Sequence, residues 1–399
     1  MTALPAPPAP QVVRGMVGLC SVIVGVSPGW SLISTLGLAF HTQLRVSEVG
    51  VGLLAALVSF GYVGASLPLG RLIDRSGGQA LLTGASSALA VLFVALVLVG
   101  RVWALAIVVF LAGAVWSGCV AATNRYSVLI APPNRRGIIM GVVQATTMLV
   151  GGVSAVVLPQ VATRWTWREA VLLLAAVAVL AGVTTGLALR GHHRVPTPGE
   201  RPKRATIRFT RPFWALLGYG VVMGVAMHCA WTFMLIFLDA EGASTAFGSV
   251  ALASLFLCGG IGRLLWGLVV DRGVSHWPLL AFSALGGALA ILPMALGVGE
   301  VVLLCCVVGI GTLLVGHNTV FILAGMRMVP ASGWAVAGAA LTSSHVVGGM
   351  VGPPLFALVV ERGGGYGRAW AGVAALLVLS LAALWVASRP LRSSAVQDI

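Results

Sequence analysis

Twelve long apolar runs constrain this chain more than any other feature. A helix of about 20 apolar residues crosses the roughly 30 Å hydrocarbon core of a membrane. With 59% apolar residues, 9% charged residues and a mean hydropathy of +1.02, a soluble fold of 399 residues has no core large enough for this surface. Frequent Gly and Ala favour closely packed helices over strands. The sequence therefore predicts an all-α membrane protein with twelve transmembrane helices, at approximately 16–40, 48–70, 79–100, 102–124, 137–160, 169–189, 212–238, 246–270, 277–298, 300–324, 334–360 and 368–388.

The basic residues are distributed unevenly between the loops on the two sides of the membrane. If the N-terminus is cytoplasmic, the inner loops and tails hold 17 of the 24 Lys and Arg residues, six lie outside, and Arg263 alone falls inside the membrane. Inner loops rich in Arg and Lys are typical of cytoplasmic membrane proteins, so both termini are predicted to be cytoplasmic. This pattern explains the net charge of +14 without nucleic acid as a partner. The proline-rich start lacks the basic region and cleavage site of a secretory signal, and indicates a cytoplasmic tail.

The sequence carries no sign of an enzyme, a cofactor or a metal site. All six cysteines fall within predicted spans and none forms a CxxC pair, which argues against disulfides and zinc. There is no Walker A sequence, no HExxH motif and no nucleophile elbow.

The longest polar segment divides the predicted spans six and six. It runs from Arg190 to Pro212, is rich in Arg and Pro, and is predicted to lie in the cytoplasm with a basic face toward anionic lipid headgroups. The predicted organisation is a cytoplasmic tail (1–15), an N-terminal six-helix bundle (16–190), a cytoplasmic linker (191–211), a C-terminal six-helix bundle (212–388) and a second cytoplasmic tail (389–399).

An offset of 197 residues aligns the two halves. It places GRLIDR, which begins at Gly70, onto GLVVDR, which begins at Gly267, so that Gly, Asp and Arg coincide. The same offset carries Gly141, Gly151 and Gly152 onto Gly338, Gly348 and Gly349. One offset that matches the second and fifth helices of both halves indicates a duplicated six-helix unit, as transporters build around a central site.

The GxxxDR sequence after the second helix, its copy after the eighth, the twelve spans and the basic linker together resemble the major facilitator superfamily, over essentially the whole chain. In that family the loop continues past Asp-Arg with Gly and basic residues, whereas this chain has Ser76, Gly77, Gly78 and Gln79. The resemblance implies two six-helix bundles around a central site, lined by the first, fourth, seventh and tenth helices.

Three stretches are similar to the branch of monocarboxylate transporters and oxalate/formate antiporters. They are RPFWALLGYG in the seventh span, GRLLWGLVVDR in the eighth and RRGIIMGVVQATTMLVGG in the fifth. The resemblance implies that Arg263, which matches an arginine of the eighth helix, binds a substrate carboxylate, and that His345 lies near the position of an antiporter lysine. Several proton-coupled carriers keep an aspartate where this chain has Gly259, so coupling through that carboxylate is not carried over.

Arg263 lies eight residues before Asp271, about 12 Å inside the cytoplasmic end of its helix. A charge at that depth costs several kcal/mol unless it meets water, a partner or a ligand. Its planar guanidinium suits a carboxylate, although a structural role against a carbonyl or a helix end remains an alternative. All ten carboxylates are predicted at helix ends or in loops, so an unpaired cation in the cavity favours an anionic substrate.

Three histidines are predicted within spans, namely His228, His317 and His345. Each is a candidate for carrying a proton, and His345 is also a candidate for binding substrate; the alternative is a neutral ring bonded to a carbonyl across a helix interface. The further residues predicted to face the cavity are polar or aromatic, with simple packing as the alternative: Trp30, Ser34, Asn124, Arg125, Trp231 and Asn318.

The repeated motif predicts a conformational gate at the cytoplasmic ends of the second and eighth helices. Its carboxylates can bond to a neighbouring helix N-terminus or to an arginine while that side is closed, and these contacts break when it opens. The predicted gate residues are Gly70, Asp74, Arg75, Gly267, Asp271 and Arg272.

These observations together predict a secondary transporter in the cytoplasmic membrane that moves a small organic anion, in particular a monocarboxylate, by alternating access, with protons as a candidate coupled ion. One alternative is an efflux carrier for a neutral or cationic hydrophobic compound, in which Arg263 is structural. A second alternative, a membrane sensor without transport, is disfavoured by the short C-terminal tail.

Overall fold

The computed structural model describes residues 9–76, 78–130, 136–190, 209–330 and 333–388. Most of the predicted linker and most of both predicted tails lie outside the described residues. Within the described part the chain is helical throughout, apart from short turns.

Fourteen α-helices, with three irregular helical segments between them, make up the described chain. In order, they are α1 Ala9–Trp30, α2 Leu32–Gln43, α3 Glu48–Ser76, α4 Gln79–Val99, α5 Val102–Ile130, α6 Arg136–Arg164, α7 Trp167–Ala188, α8 Arg211–Ala240, α9 Thr245–Asp271, α10 His276–Ile291 with a 3₁₀ turn Leu292–Ala295, α11 Glu300–Ile310 with a π-helical segment Gly311–Val315, α12 Asn318–Met326, α13 Trp334–Val359 with a π-helical segment Val360–Gly364, and α14 Gly365–Ser388.

The described helices form twelve spans, which confirms the prediction. Eleven continuous stretches are long and apolar enough to cross a membrane, and the last of them, Val336–Ser388, contains both α13 and α14. The backbone leaves helical geometry at Arg362 and Gly363, where the chain turns from one helix to the next. The first span consists of α1 and α2, and the tenth consists of α11, its π-helical segment and α12.

Local sequence explains where several helices begin and end. α4 ends at Gly100, whose φ of +62° suits glycine and whose N–H bonds to the Leu96 carbonyl at 2.8 Å. α7 begins with a capping box, in which Thr166 accepts a bond from the Arg168 N–H and Glu169 accepts one from the Thr166 N–H. These caps end α4 and begin α7 at the short turns between apolar runs.

Small residues let neighbouring helices touch backbone to backbone. A Cβ atom on Gly61 of α3 would lie 1.9 Å from the Phe110 carbonyl oxygen of α5, and one on Gly113 of α5 would lie 1.9 Å from the Val58 carbonyl oxygen of α3. Only glycine permits this approach, because both obstructing atoms belong to the backbone. Close approach of the α3 and α5 backbones is therefore one of the contacts that hold the N-terminal half together.

The two halves meet on one side of the structure. We call the side where α1 begins and α14 ends the terminal side, and the opposite side the far side. On the far side, the Val49 N–H donates to Glu361 Oε1 at 2.8 Å, and Gln160 Nε2 donates to Ser249 Oγ at 3.3 Å. Gly52 also lies against the backbone of Pro353 and Pro354.

On the terminal side, the glycines that mark the repeat do not contact the other half. A Cβ on Gly70 or Gly141 would meet nothing within 4 Å, and one on Gly267 would meet only Thr319 of its own half. Within the described residues, the halves are thus joined at the far side and apart at these terminal-side positions. The paired contacts α3 with α13 and α6 with α9 relate the halves by the twofold pattern that the sequence repeat predicts.

Candidate functional site

The first span breaks beside a tryptophan near the middle of its length. α1 contains Pro28 and ends at Trp30, and α2 begins at Leu32. Proline removes an N–H donor from the helix, and nearby hydroxyl groups bond to carbonyls at the break. Ser31 Oγ donates to the Ser27 carbonyl at 3.4 Å, and Thr35 Oγ1 donates to the Ser31 carbonyl at 3.0 Å.

Trp30 lies at the centre of a cluster of rings that joins the two halves. Its ring centroid is 5.7 Å from that of Tyr62 and 6.3 Å from that of Trp116, both in the N-terminal half. On the other side it is 6.1 Å from the ring of His228 in α8. His228 in turn lies 5.4 Å from Trp231. The predicted residues Trp30, His228 and Trp231 are therefore brought together.

The tenth span is not a continuous α-helix. A π-helical turn occupies Gly311–Val315, the Gly316 N–H bonds to the Gly311 carbonyl at 3.0 Å, and regular helix resumes at Asn318. Such interruptions are frequent at functional sites and in transporter helices that line a cavity. Here the interruption places His317 at the break itself.

The helix that carries Arg263 is fastened to this irregular segment. Gly262 lies so close that an added Cβ would be 2.6 Å from the Thr312 carbonyl oxygen and 3.1 Å from the Gly316 Cα. One turn later, Trp266 Nε1 donates to the same Thr312 carbonyl at 2.9 Å. The Arg263 carbonyl accepts a bond from Thr319 Oγ1 at 3.4 Å. Arg263 is therefore fixed in position relative to the broken helix.

The side chain of Arg263 is half-buried and makes no hydrogen bond or ion pair with the described residues. Its Nε atom is enclosed without a partner. Its neighbour Gly262 packs against Gly316, which precedes His317, and the ring centroids of His317 and His345 are 5.1 Å apart, so the three groups lie in one region. A buried cation without a partner leaves donors available for a ligand that supplies negative charge.

Two of the three histidines have a defined hydrogen-bonding role for one ring nitrogen. His228 Nδ1 lies 2.8 Å from the Gly224 carbonyl, and His317 Nδ1 bonds to the Leu314 carbonyl. Because a carbonyl only accepts, Nδ1 carries the hydrogen in both rings, and Nε2 of the neutral ring keeps a free lone pair. Each bond is to a carbonyl of the same span rather than across a helix interface. Both Nε2 atoms are buried and have no partner in the described residues.

His345 completes the cluster from α13. Its ring centroid lies 5.1 Å from that of His317 and 4.6 Å from that of Phe321, and its Nε2 also lacks a partner in the described part of the chain. We call Arg263, His228, His317 and His345 the basic cluster.

Two further predicted residues border this region. Trp231 stacks on Phe256 with ring centroids 5.8 Å apart, and its indole Nε1 is buried without a partner. Asn318 begins α12 next to His317, and its Oδ1 is likewise unpaired. Within the described residues, unpaired donors and acceptors are thus concentrated around the basic cluster.

The described carboxylates lie away from the middle of the spans. They occupy helix ends and turns, at Glu48, Glu169, Asp239, Glu241, Asp271, Glu300 and Glu361. In the part of the chain that the structure describes, no group of three His, Cys, Asp or Glu residues is placed to hold a metal ion. The cluster therefore carries at least the positive charge of Arg263, and protonation of a histidine would add to it.

The predicted gate is only partly described. The side chains of Asp74 and Arg75 lie outside the described residues. Asp271 and Arg272 are exposed and form no ion pair with the described residues, while Gly70 and Gly267 have open space on the terminal side. The gating role remains a prediction.

Sequence reasoning missed Tyr62, Trp116, Phe321 and Trp266. The first three are aromatic residues inside apolar spans, where nothing in the pattern separates them from ordinary packing. The sequence does contain a pattern that points to Trp266: its spacing from Gly259 and Gly262 places all three residues on one face of a helix.

The fold defines a helical membrane protein with two related halves and a cluster of basic groups between its helices. The Major Facilitator Superfamily family model matches residues 18–353. This chain belongs to the Major Facilitator Superfamily, which is a family of transporters rather than enzymes.

Among curated proteins, the chain is 26% identical over 245 residues to an uncharacterized MFS-type transporter of Mycobacterium tuberculosis, known as MT3072 in strain CDC 1551 / Oshkosh and as Rv2994 in strain ATCC 25618 / H37Rv. The match covers 59% of this chain and 54% of the relative. The chain thus spans about half the length of the curated relatives it matches.

Two solved structures share the fold. A bacterial homolog of the human lysosomal transporter Spinster, in an inward-facing and occupied conformation, superposes with a TM-score of 0.81 at 14% identity, over 96% of this chain and 98% of that one. A variant of the nucleoside transporter NupG superposes with a TM-score of 0.78 at 13% identity, over 94% and 100% of the two chains. At these identities, the likeness concerns the fold alone.

Proposed function

We propose that this transporter moves a small organic anion, in particular a monocarboxylate, across the cytoplasmic membrane by alternating access. The observation that carries the proposal is the basic cluster: an arginine and three histidines with unpaired nitrogens, without a carboxylate near them among the described residues. Such a site lacks negative charge, and an anion supplies it.

The proposed binding mode follows from the chemistry of the side chains. Arg263 donates to the substrate carboxylate, for which its planar guanidinium is well suited. In the neutral rings of His228 and His317, Nε2 is an acceptor, so it can donate to an anion only after the ring takes a proton. Protonation of one histidine and binding of the anion therefore favour each other, which is the basis for coupled movement of proton and substrate. His345 is the preferred proton carrier because its ring lies against that of His317, within the cluster that would hold the anion.

The proposed orientation places both termini in the cytoplasm, in accordance with the positive-inside distribution. The terminal side is then the cytoplasmic side, and the arrangement of the halves corresponds to an inward-facing state. The ring cluster around Trp30 shares His228 with the basic cluster, and we propose that it contacts the apolar part of the substrate.

The experiment is uptake of labelled monocarboxylates by the purified protein in liposomes, with an inward proton gradient. Arg263→Gln is expected to reduce uptake about tenfold to a hundredfold, because a hydrogen bond to a charged group contributes about 1.5–3 kcal/mol. The matched control is Arg101→Gln, which removes an exposed charge at the far side. Equal uptake by the Arg263 variant and the control would overturn the site assignment.

A second candidate is an efflux carrier for a neutral or cationic hydrophobic compound. The ring cluster of Trp30, Tyr62, Trp116 and Trp231 favours it, because aromatic faces bind flat apolar molecules and cations. Uptake by inverted vesicles of a hydrophobic cation, unaffected by Arg263→Gln, would favour this candidate over the anion carrier.

A further inference from the structure

A polar cavity separate from the basic cluster lies at the terminal side of the C-terminal half. It encloses about 440 Å³ between the end of α9, the turn before α10 and the end of α12. Its lining includes Ser275, His276, Trp277 and Arg327. None of these residues belongs to the basic cluster.

The start of α10 supplies the first feature of an anion site. Ser275 is the N-cap, but its side chain makes no capping hydrogen bond. The N–H groups of His276 and Trp277 therefore have no acceptor within the helix, and Pro278 follows them without an N–H of its own. Free N–H groups at the positive end of a 16-residue helix attract an anion.

Two basic side chains in the lining are the second and independent feature. His276 is only 6% exposed, and its Nε2 has no hydrogen-bond partner among the described residues. Arg327 is exposed at the cavity, and its charge acts on His276. Two positively chargeable groups remain close together only at an energetic cost, which an anion between them relieves.

Asp271 follows the lining residue Val270 at the end of α9 and is exposed. It is not part of the cavity lining and makes no ion pair with Arg327 or Arg272. The positive groups of the lining thus have no acidic partner in the described residues.

We propose that this cavity binds a phosphate group, presented either by the headgroup of an anionic phospholipid or by free phosphate. Phosphate oxygens accept bonds from the α10 N–H groups and pair with Arg327, and Trp277 lies where the interface between headgroups and acyl chains suits an indole. Basic pockets between transmembrane helices are suited to anionic lipid headgroups. The site would tie the ends of α9, α10 and α12 together, separately from the transport site.

The test uses the purified full chain in lipid-free detergent. Binding of phosphatidylglycerol, phosphatidylcholine and inorganic phosphate is measured by native mass spectrometry and by thermal unfolding. Phosphatidylglycerol is expected to bind and stabilise the protein, and Arg327→Gln is expected to weaken that binding at least about tenfold, corresponding to the loss of a charged hydrogen bond. Arg190→Gln, which removes an exposed terminal-side charge in the other half, is the control.

A second variant keeps the test independent of folding. Ser275→Asp places a carboxylate where the phosphate would bind, and it should stabilise α10 as an N-cap while it abolishes the effect of phosphatidylglycerol. Gly299→Asp adds the same cap to α11, away from the cavity, and should leave lipid binding unchanged.

Comparison of phosphatidylglycerol, phosphatidylcholine and inorganic phosphate shows whether the site binds a lipid headgroup or free phosphate. If inorganic phosphate stabilises the protein with the same sensitivity to both variants, the site serves free phosphate as well as lipid. If phosphatidylglycerol binds equally to the wild type, Arg327→Gln and Ser275→Asp, or if phosphatidylcholine binds as tightly with no variant effect, the proposal is overturned.

Discussion

The indole N–H of Trp266 donates a hydrogen bond over 2.9 Å to the carbonyl of Thr312 in the π-helical segment of the tenth span. This bond satisfies a carbonyl at the place where regular helix is interrupted, and it joins the helix of Arg263 to the helix of His317. The position of Arg263 relative to His317 therefore depends on Trp266, although the indole N–H bonds to neither of them.

Replacing Trp266 with Phe keeps an aromatic ring but removes the donor. We expect the free energy of unfolding to fall by about 1 kcal/mol and uptake to fall as the Arg263–His317 geometry loosens. Thermal unfolding and liposome uptake check this, with Trp103→Phe, an exposed ring at the far side, as control. An unchanged unfolding temperature in both variants would show that the bond contributes nothing.

Gly262 allows α9 to approach the same segment. A Cβ there would lie 2.6 Å from the Thr312 carbonyl oxygen and 2.9 Å from the Thr312 Cα, and backbone atoms cannot move aside cheaply. Gly262→Ala should therefore lower the unfolding temperature, although alanine favours helix by about 1 kcal/mol. Gly372→Ala in α14, where an added Cβ meets nothing within 4 Å, should be neutral or stabilising. A higher unfolding temperature for Gly262→Ala than for Gly372→Ala would contradict the close packing of α9 on the π-helical segment.

Glu361 and Val49 join the halves at the far side, at 2.8 Å. The Val49 N–H holds the pKa of the Glu361 carboxyl below its ordinary value. A carboxyl with a lowered pKa stabilises the contact while it is ionised, so the contact is present at neutral pH and is lost as the pH falls through that pKa. Glu361→Ala should speed hydrogen exchange of the Val49 amide at pH 7, which peptide-resolved mass spectrometry measures. Glu300→Ala, at another far-side helix start, serves as control, and equal protection in both variants would argue against the contact.

The histidines allow a separate test of proton coupling. Replacing His345 with Gln removes the titratable ring, so uptake driven by a proton gradient should fall at least about tenfold. Exchange of internal for external substrate should persist. During exchange the carrier crosses the membrane with substrate bound in both directions, so it does not need to release a proton. His228→Gln and His317→Gln are compared in the same assays. If all three variants retain gradient-driven uptake, the protons do not move through these rings.

The twelve spans and the twofold repeat could be predicted from sequence because run length and a constant offset report directly on helix number and duplication. The meeting of Arg263, His317 and His345 could be anticipated only in part. Depth along a helix follows from counting residues, but rotation of the helix and the π-helical interruption at Gly311–Val315 depend on tertiary packing. The bond of His317 to the Leu314 carbonyl, which fixes its free nitrogen, arises from that interruption and has no sequence signature. The spacing of Gly259, Gly262 and Trp266 predicts only that they share one helix face, and the bond from Trp266 to the Thr312 carbonyl depends on the interruption of the tenth span.

The most direct test of the proposed anion site compares a monocarboxylate with its uncharged amide of the same shape. Calorimetric titration of the purified protein at a pH where histidines are partly protonated measures both affinities, in the wild type and in Arg263→Gln. The basic cluster predicts that the carboxylate binds at least about tenfold more tightly than the amide, and that this preference disappears in the variant. Equal affinity for acid and amide in the wild type, or a preference for the acid that survives the loss of Arg263, would contradict it.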